Sequence, residues 1–283
     1  MRKLYLSFFA IVINSSLPLY SANPVELYLK ANELMLHPRH ETRKQAVPLL
    51  EEILAESENA ATVRARLLLG DLYLQDAKPL EAKAVLQGLW VQQETLQDKE
   101  RVALLILSAK VEKLAGNQAR AKRLLQEASA ASQPGSELRI EALLVQLEFA
   151  WEEEDSPLVA QAVALLLEEA ERNPQNLDLN YHAHFSATLL AERAGQCDKA
   201  DIHVNRAEAA VKQAYGENHS ALAQLTRLRI EILRRCGQHK EAKCMAKAWK
   251  QQKAKDAMDP ARRPVSRTNS VNVNILRSPA KRK

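Results

Sequence analysis

LLLGDLYLQDAKPLEAKAVL, Leu67 to Leu86, decides how the chain is read. Leu69, Gly70 and Tyr73 lie on one helical run, a polar break follows, and Ala82 and Leu86 continue on a second run. Pro79 fits the first turn of that second helix, where its missing N–H is harmless. The stretch predicts helix, turn, helix. Glycine inside a helix costs about 1 kcal/mol against alanine, so Gly70 needs a purpose. The expected one is close packing: Gly70 admits the partner helix of its own hairpin near Ala82.

The same design recurs along the chain. KPLEAKAV (78–85) matches SPLVAQAV (156–163), and GNQARA (116–121), GQCDKA (195–200) and GQHKEA (237–242) share glycine, an amide residue, three variable residues and alanine. Aligned on the alanines, these place Ala82, Ala121, Ala160, Ala200 and Ala242 in register, with Ala46 as a weaker first copy. Runs such as RVALLILSAKVEKLAG precede the alanines, with Asp98 and Ser136 as expected N-caps. Gly116, Gly195 and Gly237 end the first helix of their copies, where a left-handed cap suits glycine. Pro157 again falls in a first turn, and Pro48 requires its helix to start at about Lys44 or later. The pattern predicts an all-α chain of about six antiparallel helix pairs. Such pairs bury their apolar faces only by stacking, which makes an α-solenoid.

The order Leu69-Gly70, Tyr73, Ala82, Leu86 resembles the tetratricopeptide repeat (TPR) pattern, with Arg66 in the tryptophan position. Ala109, Ala150 and Thr188 stand for the glycine in later copies, and Pro174 for the terminating proline. The last repeat, with AYGENHSAL (214–222) between pairs, is similar to the longer kinesin-light-chain type. The resemblance implies a right-handed superhelix whose first helices line a concave face that binds a peptide or helix of another protein. On that register the inward residues are Arg64, Asp71, Lys110, Lys113, Glu148, Trp151, Phe185, Glu192, Arg227, Glu231, Arg234 and Arg235, with Trp151 and Phe185 as anchors.

The ends differ from the middle. MRKLYLSFFAIVINSSLPLYSA (1–22) has a basic start, a short apolar run and then small and polar residues, the layout of a secretory signal. Residues 23–252 form the expected repeat domain. Residues 253–283 carry nine Lys/Arg against two Asp. Rich in Pro, Ser and Asn toward its end, this segment is expected to be a basic disordered tail. The net charge of +5 therefore belongs to the two ends, and a nucleic-acid footprint over the whole domain is not indicated. Aromatics are 5% of the chain, too few for a base-stacking platform. Cys197, Cys236 and Cys244 lack metal spacing and are expected to be small buried hairpin residues, a pair and a free thiol being the alternative in an exported chain.

No HExxH, P-loop, GxSxG or CxxC motif is present. His182 and His184 are two apart and diverge on a helix. The acids of WEEEDS (151–156) read as the solvated end of a helix. No metal, cofactor or small-molecule substrate is expected. The function that follows is a non-enzymatic protein–protein interaction scaffold, periplasmic or secreted. The alternative is a solenoid that tethers its basic arm to an anionic polymer, membrane surface or nucleic acid. An enzyme with a site between helices is the third class.

Overall fold

The computed structural model describes residues 23–258, apart from 36, 38, 57–59 and 218. The signal-like segment and the tail beyond Met258 lie outside the described residues. Thirteen α-helices follow one another, with no strand among the described residues: α1 (Pro24–Met35), α2 (His40–Lys44), α3 (Ala46–Glu56), α4 (Ala60–Gln75), α5 (Pro79–Val91), α6 (Asp98–Leu114), α7 (Gln118–Ala131), α8 (Glu137–Glu152), α9 (Ser156–Arg172), α10 (Leu177–Arg193), α11 (Cys197–Tyr215), α12 (Ser220–Arg235) and α13 (His239–Met258). They pair as α1/α3, α4/α5, α6/α7, α8/α9, α10/α11 and α12/α13, with α2 a short connector. Each second helix also packs on the next first helix, as α5 does on α6 and α11 on α12. The apolar clusters straddle these junctions, so the core is continuous from hairpin to hairpin.

Local chemistry explains the turns. Gly116, Gly195 and Gly237 have φ of 82°, 68° and 76°. Around Gly116, the Asn117 N–H donates to Glu112 O (2.8 Å) and the Gly116 N–H to Lys113 O (2.9 Å). This Schellman pair satisfies carbonyls that a helix end otherwise leaves open. The same two bonds recur at Gly195 and Gly237, and at Ala77 and Glu154, whose φ values are 55° and 56°. Five hairpins thus share one left-handed cap, at 77, 116, 154, 195 and 237.

The caps correct the sequence register. Ala82, Ala121, Ala200 and Ala242 each follow their cap by five residues and are essentially buried, as is Ala46 in the first copy. In the fourth hairpin that place belongs to Val159, 1% exposed, and Ala160 is exposed. Its proline sits one position deeper in the helix than Pro79 does in α5, so aligning the two prolines shifts the copy by one. By the same register Leu147, not Ala150, matches Gly70.

Gly70 is a packing glycine, set against the second helix of its own hairpin as expected. A Cβ there would lie 2.9 Å from Cδ2 of Leu86, one turn beyond Ala82 on α5. The N-cap of α6 is Gln97, whose N–H donates to Glu100 Oε2 at 3.3 Å; Asp98 is the first helical residue. Ser136 caps α8 as expected, accepting from the Arg139 N–H. Pro48 falls in the first turn of α3, because the chain breaks at Gln45. Pro174 follows the C-cap Asn173 of α9. The last helix runs to Met258, past the expected boundary at 252, so 253–258 are helical.

The cysteines depart from expectation. Cys197 and Cys236 form a disulfide across the fifth and sixth turns, their Cα atoms 6.0 Å apart, and Cys244 is free and exposed. Cys197 follows its cap by two residues and Cys236 precedes its own by one, so stacking brings them together. Spacing along the chain gives no sign of that adjacency.

Candidate protein-binding face

Counted from the caps, the expected face resolves into rows. Six residues before the cap stand Asp71, Lys110, Glu148 and Glu231; three before it stand Lys113, Trp151, Glu192 and Arg234. These side chains reach from one first helix to the next. Lys110 Nζ lies 2.9 Å from Glu141 Oε1 on α8. Lys113 lies 2.7 Å from Glu152 and 3.6 Å from Glu148, with its Nζ 4.0 Å from the centre of the Phe149 ring. Arg64 pairs with Glu100 on α6 at 3.3 Å, and Arg235 with Glu192 on α10 at 2.9 Å. Burial opposes the charge of Lys110, but Glu141, Asp71 and Glu148 together outweigh it and raise its pKa. Burial also raises the Asp71 carboxyl, with Lys110 and Gln75 opposing.

The two expected anchors are not exposed. Phe185 is 1% exposed and belongs to the row ten residues before the cap, with Leu67 and Ile106, which are core. Trp151 is 4% exposed, and the Arg193 guanidinium covers its ring at 4.1 Å. Arg227 shares the row of Phe185 and stacks on Trp249 of α13 at 5.0 Å. Glu231 and Arg234 remain exposed.

A second row of clasps, missed in the sequence, lies six residues after the cap. Lys83 reaches Glu112 of α6 at 3.7 Å. Lys122 reaches Asp155 at 3.0 Å and also pairs with Glu153. Asp201 accepts from Arg229 of α12 at 3.0 Å. Three acids of WEEEDS, Glu152, Glu153 and Asp155, are therefore partners of α6 and α7, while Glu154 is exposed at the cap. Asp155 additionally accepts from the Leu158 N–H, which with Lys122 lowers its pKa.

Two buried polar groups complete the junctions. Glu169 is fully buried and receives Arg139 (2.9 Å), Arg172 (2.7 Å) and the Gly135 N–H (2.6 Å), which fixes the α7–α8 turn. His184 and His203 face each other across α10 and α11, Nδ1 to Nδ1 at 3.1 Å. Burial, then His203 and Arg206, lowers His184 to about 4. Among the described residues no group of three or more His, Cys, Asp or Glu could hold a metal ion, and no helix is long and apolar enough to cross a membrane.

Repeated helix hairpins on one cap register define a TPR-like α-solenoid. Solved structures share it. The TPR-like repeat structure of a kinesin light chain from Podosopora anserina matches at TM-score 0.55 and 17% identity, over 70% of this chain and 98% of that one. A variant of the same protein matches at TM-score 0.56. BtubC (BKLC) from P. vanneervenii matches at TM-score 0.58 and 13% identity, over 84% of this chain and 93% of that one. The kinesin-light-chain character read in the last repeat is in keeping with these folds. No protein-family model and no curated protein matches the chain.

Proposed function

We propose that this protein is a non-catalytic scaffold that holds another protein on the face formed by its first helices. The observation that carries the reading is the side-by-side row of first helices. Their charged side chains pair between hairpins and make an extended, fixed polar face that does not converge on one deep site. A face of this kind suits a peptide or helix laid along it. The reading includes export to a bacterial envelope or beyond. A signal-like start and a disulfide between two hairpins both favour an oxidising compartment.

Site-specific photo-crosslinking in the producing cell tests the face. A cross-linker at Gln75 or Glu231 on first helices is expected to capture a protein partner. One at Glu127 or Glu171, exposed on second helices, is not. Adducts from the second helices alone would contradict the assignment.

A further inference from the structure

In the sixth hairpin the clasp positions are charged but hold no next helix among the described residues. In the fifth hairpin Glu192, Asp201 and Glu208 all hold α12, through Arg235 at 2.9 Å and Arg229 at 3.0 and 3.6 Å. In the third hairpin Lys113 and Lys122 hold α8 through Glu148, Glu152, Glu153 and Asp155. The same positions in the sixth hairpin are Arg234, Lys243 and Lys250. With His239 and Lys247 they line a groove of about 620 Å³ whose floor includes Ala246. No carboxylate lines this groove, and none of its cations has an ion-pair partner among the described residues.

We infer that this groove is a docking site for an acidic helix of a partner protein, seated where a further first helix would lie. It rests on the scaffold reading and adds the partner's chemistry. Charge selects the occupant. The preceding clasp residues meet opposite charge on a helix, so a groove of Arg234, Lys243 and Lys250 calls for carboxylates. The chain's own residues beyond Met258 carry seven Lys/Arg against a single acid, Asp259, and so have the wrong net sign. The groove also lacks a Phe, Tyr or Trp on which a base would stack. The closest template is α8 with its C-cap, whose acids at 148, 152 and 153 set a spacing of i, i+4 and i+5 on the docked helix.

The test uses the full chain and a labelled helical peptide of about 20 residues, long enough to hold helix when seated, with Glu at i, i+4 and i+5. A twin peptide carries Lys at those positions. Fluorescence anisotropy is expected to show the wild type binding the Glu peptide and not the Lys twin. Arg234→Glu with Lys243→Glu, both exposed sites, should weaken the Glu peptide at least tenfold and gain the Lys twin, with an unchanged melting curve. No binding to the wild type, or equal binding to both proteins, overturns the inference. So does a DNA duplex that binds the wild type more tightly than the peptide and loses that affinity in the double variant. Cross-linking from Gln75 on α4 reads the first-helix face separately from the groove on α12 and α13, so failure of the groove leaves the scaffold reading standing.

Discussion

Ala77 and Glu154 hold the left-handed backbone that glycine holds at the other three caps. A Cβ in that region crowds the following carbonyl and costs about 1–2 kcal/mol, part of which glycine's greater freedom in the unfolded chain offsets. Glu154→Gly and Ala77→Gly should each stabilise by about 0.5–1 kcal/mol. A chemical denaturation midpoint that does not rise in either variant would count against the shared cap. Gly70→Leu should act in the opposite direction, destabilising by about 1–3 kcal/mol through overpacking on Leu86. The glycines and the Leu69-Gly70 step were legible in the sequence, because the residue type is itself the conformational signal. Ala77 and Glu154 were not, since nothing in an alanine or glutamate announces positive φ. The His184–His203 contact was equally hidden, because it depends on the rotation of α10 against α11. His184 has a pKa below the ordinary 6.5, so between about pH 6.5 and 4 the unfolded chain binds more protons than the folded one. Stability therefore falls as pH falls through that window. Replacing His184 with Asn should flatten this part of the stability profile, and an unchanged slope would assign the effect elsewhere.

At the scale of elements, hairpins are joined by clasps that reach from a first or second helix to the next hairpin, and by the Cys197–Cys236 disulfide. Lys113 and Lys122 are about three-quarters buried or more, so their pairs belong to a network and not to isolated surface bridges. Charge reversal by Lys113→Glu with Lys122→Glu should destabilise the α6/α7 junction with α8. Adding Glu152→Lys and Glu153→Lys should restore part of that loss. A double-mutant cycle with additive effects would dismiss the clasp. The disulfide closes a loop of 39 residues and, on loop entropy, stabilises by about 4 kcal/mol. Mild reduction should therefore speed hydrogen exchange in α12 and α13 well before α6 and α8. The helix pairs could be read from apolar periodicity. The clasps could not, because they join residues some 30 positions apart whose alignment needs the true caps. Anchoring on proline instead displaced the fourth copy by one residue, and reading Phe185 as an exposed anchor put a core side chain in the groove.

Along the solenoid, stability accumulates from neighbour to neighbour, and among the described residues the sixth hairpin packs on the fifth alone. Its basic groove faces the position a seventh first helix would take. The central claim is that one register both joins the hairpins and leaves this last face open to an acidic helix. Hydrogen–deuterium exchange of the full chain, with and without the Glu-bearing helical peptide, tests it most directly. The account predicts slower exchange confined to α12 and α13, lost in Arg234→Glu with Lys243→Glu. Protection spread over α4 to α8, or no protection at saturating peptide, would contradict it.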